Sequence, residues 1–404
     1  MSHKMVEKYD VCVVGAGTFG SCAAYHLSQK AGLRICLLGP GEPIVKDSST
    51  RSVFGCHYDE GRITRTVSSK KTELILALQS TLGYAKLEAE SGIKVFTEVG
   101  YALVGAENDF FNNAMEASIS FCDTRNLPYE VLDDVAGRWE GFDPQGVEKA
   151  LFVPVKGGHI SIRNLVKSTQ KVAIQNGVLR KEDVVKCITK EGGTYSIELE
   201  NGEMIKCGKV CVTTGSFTRF FGLLPGIPDI KLMGHTVMKF EIDVETFQRC
   251  KSLPSMIFCT EIPYIYLLPP IKYPNGKYYI KLGPSVAFEN PVTTELGSHQ
   301  EVIDYYCQKD YPLAREYFTK KFSLLFPSIN VVSTELDHCV MAITATGRQY
   351  IGFVEPGCFA AFGGNGVSAK MGLEIGRIVA ESVVAGKWMG GDLEEEDFKI
   401  IYKD

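Results

Sequence analysis

Near its start the chain carries a glycine turn between an apolar segment and a helical one. The stretch "YDVCVVGAGTFGSCAAYHLSQKAGLRICLLG" predicts a strand, a turn at Gly15, Gly17 and Gly20, a helix over residues 18–29 and a second strand over residues 34–38. In such a turn the first glycine allows the tight bend, the second lets the backbone approach a pyrophosphate, and the third lets the helix pack on the strand. The helix N-terminus offers N–H groups to the phosphates. We therefore predict a dinucleotide-binding, Rossmann-like unit.

The end of the second strand departs from the usual form of this unit. An acidic residue that binds the adenosine ribose is expected there, but Gly39 occupies the position. Glu42 lies three residues further on. It either compensates through a longer loop or is a solvated turn residue, and the sequence leaves both readings open.

Composition excludes several classes of protein. The 404 residues are 45% hydrophobic with a formal net charge of −5, so a sizeable core is expected and nucleic acid is not an expected partner. No run of about 18 apolar residues occurs, so we expect no membrane segment. The polar start "MSHKMVEKYD" favours a cytoplasmic protein. The ending "YKD" lacks a peroxisomal tripeptide, and the peroxisome stays an alternative.

The thirteen cysteines have the pattern of reduced thiols. The chain is long and shows no export signal, which argues against a disulfide framework. Cys207 and Cys211 have no second pair and no histidine cluster near them in sequence, so we expect no metal site. Cys12, Cys22 and Cys36 fall in apolar patterns in which a thiol acts as a small core residue.

The later course of the chain favours FAD over NAD. After the first unit the sequence leaves into a polar loop, "SSTRSVFGCHYDEGRITRTVSS", instead of further regular strand–helix units. It returns to nucleotide-domain patterns much later, in "KVCVTTGSFT" and in "CFAAFGGNGVSAKMGLEIGRIVAESVVAG". A nucleotide domain that is interrupted twice is typical of a fold that surrounds a large flavin from several sides.

Seven segments then carry a family resemblance. In order they are "GAGTFG", "GRITR", "GGHIS", "VTTGSF", "IKLG", "HCVMAIT" and "FGGNGVSAK". Together they resemble the D-amino-acid oxidase-like FAD flavoproteins, and most of all the branch that contains monomeric sarcosine oxidase, pipecolate oxidase and N-methyltryptophan oxidase.

The resemblance implies an α/β fold, α+β overall, in which a Rossmann-like FAD-binding domain is interrupted by a substrate domain with a mixed, largely antiparallel sheet. The FAD-binding domain is expected at residues 1–90, 150–220 and 335–404, and the substrate domain at 91–149 and 221–334. The implied activity is oxidation of the C–N bond of a secondary amino acid, N-methyl or cyclic, to an imine by a monomer, with O2 reduced to hydrogen peroxide. Alternatives are a flavin dehydrogenase with another electron acceptor, an oxidase of Amadori-type amines, and a nucleotide-binding protein without catalysis.

Carried onto this sequence, the resemblance makes Cys339 of "DHCVMAITATG" the residue that attaches FAD through a thioether to its 8α-methyl group. The alternative is an unreactive thiol at the start of a core strand. Lys281 of "YIKLGPS" matches a lysine that the family uses near the flavin for oxygen activation. A fixed ammonium group there would stabilise superoxide as its charge develops. The alternative is a strand-end lysine that points to solvent.

The substrate carboxylate is assigned to two cations. Arg65 of "GRITR" and Lys370 of "GVSAK" match the family's carboxylate ligands, and an arginine fork binds a carboxylate through two hydrogen bonds. Both residues could instead be surface charges. Ser285 stands where the family can place a histidine over the substrate, which points away from a sarcosine-like substrate.

Further residues are assigned with alternatives. His57 or Tyr58 contacts the flavin or the substrate, or packs in its loop. One of Tyr264 and Tyr266, which share a strand face, lines the amine pocket, or both belong to the core. The other residues that the resemblance assigns to FAD are Thr18, Phe19, Arg62, Val184, Thr214, Gly215, Gly363, Gly364, Gly366 and, besides its carboxylate role, Lys370.

Overall fold

The computed structural model describes residues 7–65, 68, 70–259, 265–284 and 291–403. These residues form three β-sheets with helices packed on them. The strands are β1 (Glu7–Val14), β2 (Ile35–Leu38), β3 (Arg62–Thr64), β4 (Phe96–Thr97), β5 (Tyr101–Gly105), β6 (Glu130–Leu132), β7 (Lys149–Val153), β8 (Gly158–Ile160), β9 (Leu179–Lys181), β10 (Val185–Glu191), β11 (Thr194–Leu199), β12 (Met204–Val212), β13 (Ile230–Ile242), β14 (Ser255–Cys259), β15 (Ile265–Lys272), β16 (Tyr278–Pro284), β17 (Thr293–Leu296), β18 (Ser333–Thr344), β19 (Tyr350–Glu355) and β20 (Cys358–Phe362). The α-helices are α1 (Thr18–Ser28), α2 (Lys71–Ser91), α3 (Asp109–Arg125), α4 (Ile162–Gln175), α5 (Val244–Cys250), α6 (His299–Cys307), α7 (Pro312–Leu325) and α8 (Gly372–Ala385).

The first sheet, called the parallel sheet below, contains the predicted dinucleotide unit. Strands β9, β2, β1, β12 and β20 lie side by side and parallel, and β10, β11 and β19 add to them antiparallel. Along β1 the side chains alternate between two cores. Val11 and Val13 belong to the apolar cluster that includes helices α1 and α8, while Cys12 and Val14 pack on the opposite face. Burial on both faces explains why residues 11–14, the second half of β1, are continuously apolar.

The second sheet, called the antiparallel sheet, has the order β17-β13-β16-β15-β14-β5-β7-β6, with β18 also paired to β13. Its neighbours are antiparallel except β5 and β14. A small third sheet, β3-β8-β4, contains Arg62. The predicted fold class is therefore confirmed: a parallel Rossmann-like layer is combined with a mixed, largely antiparallel sheet.

Sheet membership differs from the predicted division of the chain at two places. Strand β18 begins at Ser333 and pairs along its length with β13, so the predicted boundary at residue 335 falls within this strand. Strand β7, which was expected to start the second FAD-binding segment at residue 150, also belongs to the antiparallel sheet. The apolar pattern of a strand does not state which sheet it joins, and the two-domain division itself stays a prediction.

Among the described residues, no helix is long and apolar enough to cross a membrane.

Candidate functional site

A cavity of about 760 Å³ lies where the carboxyl ends of β1, β2, β12 and β20 face the antiparallel sheet. Its wall on the parallel side consists of residues 14–19, 38–40, 213–217 and 362–370. The opposite wall includes Leu103, His235, Ile257, Tyr266 and Cys339. A crevice outside the carboxyl ends of parallel strands is where α/β sheets bind their ligands.

The glycine turn after β1 is shaped by close backbone contacts. At Gly15, φ is +102° and a Cβ atom would lie 2.5 Å from the carbonyl oxygen of Thr213; at Gly20 a Cβ atom would lie 1.8 Å from the carbonyl oxygen of Gly15. At Gly17 the nearest atom would be 3.8 Å away, so its backbone is bare toward the cavity. Gly17 also caps α1 without a side-chain hydrogen bond. The first N–H groups of α1 are therefore available, and this geometry fits a pyrophosphate.

The other predicted cofactor contacts also line the cavity. They are Thr18, Phe19, Arg62, Val184, Thr214, Gly215, Gly363, Gly364, Gly366 and Lys370. In the second glycine loop Gly363 and Gly366 have φ of +75° and +69°, and a Cβ atom on Gly363 would lie 2.3 Å from Cγ2 of Thr344. Bare backbone thus faces the cavity from two loops of the parallel sheet, and these residues fit FAD.

The predicted ribose ligand, Glu42, is not on the cavity wall. Both of its carboxylate oxygens accept hydrogen bonds from Arg163, at 2.7 to 3.0 Å. Gly39 does line the cavity. Its φ is +141°, and a Cβ atom at this position would lie only 2.8 Å from the backbone N of Ala16. A ribose contact by Glu42 would require its ion pair with Arg163 to open.

One end of the cavity, which we call the cationic end, is lined by three cations and one carboxylate: Arg65, Lys70, Lys370 and Glu73. Arg65 Nη1 donates to the Tyr101 hydroxyl at 3.0 Å, and its guanidinium lies 5.1 Å from the centre of that ring. Lys370 donates to the carbonyl oxygen of Val367 at 2.8 Å and lies 3.8 Å from Glu73. Burial lowers the pKa of Lys370 to about 8, although Glu73 opposes the shift. Arg65 and Lys370 thus come together from distant segments, as a carboxylate clamp requires.

Lys281 lies beneath the cavity rather than on its wall. Its side chain is fully buried, and Nζ donates to Asp59 Oδ2 and to the carbonyl oxygen of Gly61, both at 2.5 Å. Arg62, which does line the cavity, shares the same carboxylate. Burial lowers the pKa of Lys281 to about 8 in spite of Asp59. Burial would raise the pKa of Asp59, but Lys281 and Arg62 hold it well below its ordinary value.

Cys339 is half-buried on the cavity face of β18. Burial raises the pKa of its thiol to about 12, the nearby Cys56 adds to the shift, and Arg62 opposes it. Cys56 also lines the cavity, but its Sγ donates to the carbonyl oxygen of Val340 at 2.9 Å and lies 3.1 Å from the Tyr306 hydroxyl. The structure therefore places two thiols at the end of the cavity that faces β18.

His57, Tyr58 and Tyr266 all line the cavity. Burial, with Arg163 and Arg62 adding to the effect, lowers the pKa of His57 to about 3, so its imidazole is neutral at physiological pH. Tyr264 and Ser285 lie outside the described residues.

A further imidazole on this wall, His235 of β13, was not singled out by the sequence reading. It is 6% exposed, and its ring lies parallel to that of Tyr266 with centroids 6.2 Å apart. Within the described residues its Nδ1 has no hydrogen-bond partner. Burial, together with Arg62 and Lys281, lowers its pKa to about 3. A histidine inside the apolar pattern "IKLMGHTVMKF" is the only local signal, and it does not reveal which face the ring occupies.

Beside the cationic end the cavity continues into a mostly nonpolar part, which we call the apolar lobe. It is lined by Leu103, Phe110, Ala114, Ser118, Ile257 and Cys259. The three residues from α3 are four positions apart and therefore share one helix face. Burial raises the pKa of Cys259 to about 12, and the charge of Arg65 opposes the shift, which shows that the arginine lies close to the lobe. Glu73 and this lobe were also missed by the sequence reading, because nothing in a single sequence places α3 beside Arg65.

A parallel dinucleotide sheet, two glycine loops and a cavity closed by an antiparallel sheet define a flavin-binding oxidoreductase. The model of the family described as FAD dependent oxidoreductase matches residues 10–382. The chain belongs to this family.

Similar proteins agree with this assignment. N-methyl-L-tryptophan oxidases of Yersinia pestis and Yersinia pseudotuberculosis are 26% identical over 226 residues, which is 54% of this chain and 56% of theirs. The chain thus matches about half the length of these curated relatives. NikD, described as an unusual amino acid oxidase essential for nikkomycin biosynthesis, has a similar structure, with a TM-score of 0.77, 16% identity and 98% of each chain covered. Glycine oxidase from Geobacillus kaustophilus has a TM-score of 0.73 and 16% identity, and covers 98% of this chain and 100% of its own. At these identities the two structures support the fold alone.

Proposed function

We propose that this protein is an FAD-dependent amine oxidase that converts the C–N bond of a secondary amino acid, N-methyl or cyclic, to an imine and reduces O2 to hydrogen peroxide. One observation carries the proposal: a single cavity combines the glycine turn that fits a dinucleotide with two cations, the half-buried Arg65 and the buried Lys370. The match to N-methyl-L-tryptophan oxidases supports the same class of substrate. We also propose a cytoplasmic monomer.

The chain's own residues prepare the substrate. FAD, when bound, supplies the hydride acceptor. Arg65 and Lys370 bind the carboxylate, and the hydrogen bond from Arg65 to Tyr101 fixes the guanidinium plane, so the amino acid is bound in one orientation. A Cβ atom on Gly17 would lie 3.8 Å from Nδ1 of His57, so the neutral imidazole stands beside the glycine turn and is proposed to contact the FAD. The substrate amine must itself lose a proton before it gives up a hydride. Tyr266 also lines the cavity.

The apolar lobe refines the substrate class. It adjoins Arg65, so a substrate whose carboxylate is bound there can direct a nonpolar substituent into the lobe. Apolar surface contributes roughly 25 cal/mol for each Å² that is buried, which favours large N-methylated or cyclic amino acids over sarcosine. We expect a higher kcat/KM for an N-methyl aromatic amino acid or for pipecolate than for sarcosine.

Anaerobic bleaching tests the proposed reaction. Purified protein is mixed with sarcosine, pipecolate, N-methyl aromatic amino acids and an Amadori-type amine in the absence of oxygen, and the flavin absorbance is followed. Loss of the yellow colour with a secondary amino acid supports the proposal. Bleaching by the Amadori compound alone would favour the second candidate substrate. Failure of every amine would contradict an amine-oxidising function and favour a nucleotide-binding protein without catalysis.

The electron acceptor is tested separately with Lys281→Met. We propose that the Lys281 ammonium, fixed by Asp59, stabilises negative charge on oxygen as it forms. Reoxidation by O2 should slow strongly while anaerobic reduction stays unchanged. Lys239→Met is the matched control, because Lys239 faces Lys281 in the strand register but pairs with Glu335. Slow reoxidation of the unmodified protein would instead favour a flavin dehydrogenase with another acceptor.

The proposed thioether to Cys339 is tested by acid precipitation. If the flavin stays in the pellet of the unmodified protein and washes out of a Cys339→Ser variant, the attachment is supported. If the flavin of the unmodified protein washes into the supernatant, FAD is bound without a covalent link and Cys339 is a wall residue only.

A further inference from the structure

His235 and Cys339 face each other across two neighbouring strands. They are direct partners in the antiparallel register of β13 and β18, and both line the cavity. Directly opposed residues in such a pair have Cβ atoms about 5 Å apart and share one sheet face. Rotation about the side-chain bonds is therefore enough to bring the imidazole to the thiol, with no movement of the backbone.

The imidazole is in the state that a proton acceptor needs. His235 is buried and, within the residues that the structure describes, its Nδ1 has no hydrogen-bond partner. An unpartnered polar atom in a buried position costs free energy, so a role in the cavity would explain its presence there. Burial and the nearby cations Arg62 and Lys281 lower the pKa of the ring, so it holds the proton only beside the thiolate, whose negative charge stabilises the imidazolium.

The thiol, in contrast, does not ionise easily in this site. A thiolate is the nucleophile in sulfur chemistry, and burial raises the pKa of Cys339 far above physiological pH. Bond formation at Cys339 therefore requires a base in contact with it. The second thiol, Cys56, hydrogen-bonds to the carbonyl oxygen of Val340 and is engaged with Tyr306, so it does not serve as this base.

We propose that His235 is the base that takes the proton from Cys339 when the FAD becomes covalently attached. The inference rests on the proposed thioether. In this step the thiol proton goes to His235, the 8α-methyl group loses one proton to solvent, one S–C bond forms, and the two electrons released reduce the FAD. Molecular oxygen then accepts the two electrons and two protons and leaves as hydrogen peroxide, so that atoms and electrons balance.

The test measures attachment rather than turnover. Protein without FAD is prepared from riboflavin-limited cells and mixed with FAD in air, and samples are precipitated with acid at intervals to measure the flavin retained in the pellet. A positioned base contributes about 10²–10⁴-fold to a rate, so attachment in His235→Gln should be at least about 100-fold slower, with unchanged reversible binding of FAD.

The matched control is His338→Gln. His338 precedes Cys339, is 3% exposed, and its Nδ1 lies 2.8 Å from the Thr236 hydroxyl on the other face of β18. The His338→Gln variant should attach FAD at the rate of the unmodified protein. If His235→Gln also attaches FAD at that rate, His235 is not the base, although the thioether to Cys339 is supported. If the unmodified protein attaches no FAD, the proposed thioether fails and this inference fails with it.

A second measurement covers the case in which His235→Gln binds FAD poorly. In protein without FAD, the rate at which iodoacetamide alkylates Cys339 is measured from the mass of the peptide that contains it. Loss of the base should slow alkylation in His235→Gln and leave it unchanged in His338→Gln. Equal rates in all three proteins would overturn the inference.

Discussion

Asp59→Asn is the substitution whose effect the structure predicts most directly. Asp59 is 3% exposed and accepts hydrogen bonds from Lys281 at 2.5 Å and from the Tyr273 hydroxyl at 2.8 Å, besides its ion pair with Arg62. An asparagine keeps the shape but removes the charge. The buried Lys281 and the half-buried Arg62 would then lie close together without their shared anion.

Removal of one partner from a buried ion pair costs about 3–5 kcal/mol. For a cooperative unit of 150–250 residues this corresponds to a fall in Tm of roughly 6–20 °C. Lys281→Met should cost less, because Asp59 keeps Arg62 and Tyr273 as partners. The double variant should be more stable than Asp59→Asn alone, since it no longer contains an unpaired buried lysine.

Thermal unfolding followed by circular dichroism measures these differences at one pH and one FAD concentration. Asp310→Asn is the control, because Asp310 forms an exposed pair with Arg315, and exposed pairs contribute about 0–1 kcal/mol. The reasoning is refuted if Asp59→Asn lowers Tm no more than the control does, or if the double variant is less stable than Asp59→Asn.

Three further outcomes are expected. Gly15→Ala should abolish FAD binding, measured by flavin absorbance after desalting, and retention of FAD would contradict the predicted clash. Gly177→Ala is the control, because Gly177 has a similar φ of +94° and no atom lies within 4 Å of its Cβ position; this variant should keep FAD and lose only about 1 kcal/mol of folding stability. The pKa of Lys370 is lowered to about 8, so its ammonium group is charged below that pH and neutral above it. KM for an amino acid should therefore rise as pH increases through 8, and a KM that does not change with pH would show that Lys370 does not bind the carboxylate. Ala114→Trp fills the apolar lobe and should lower kcat/KM for an N-methyl aromatic amino acid about tenfold or more, with little effect on sarcosine, because burial of the substrate's large side chain contributes about 1.5–3 kcal/mol. Equal losses for both substrates would place the substrate elsewhere.

Local patterns in the sequence were enough for the dinucleotide unit and the fold class. Gly15, Gly17 and Gly20 act within one turn, and their spacing is a local pattern, although distant residues such as Thr213 and Thr214 also contact the turn. The continuous apolar stretch of β1 and the start of α1 at Thr18 likewise depend on neighbours in the chain. For this reason these features are predictable from the sequence.

Tertiary structure decided the surroundings of each candidate side chain. Lys281 is a lysine within an apolar strand in sequence, but its burial beneath the cavity follows from Asp59, which lies more than two hundred residues earlier. Glu42 pairs with Arg163 rather than facing the cavity, and residue 335 falls within a strand of the antiparallel sheet. Each of these outcomes depends on which distant segments pack together.

His235 shows the same limit most clearly. Its own strand predicts no role, and only the register of β13 against β18 brings it opposite Cys339. A strand pattern determines which residues share a face, whereas the partner strand and its alignment are set by the packing of the whole sheet. The sequence alone therefore predicted the flavin-binding fold, and the long-range pairing of strands determined which charges, thiols and imidazoles meet in its cavity.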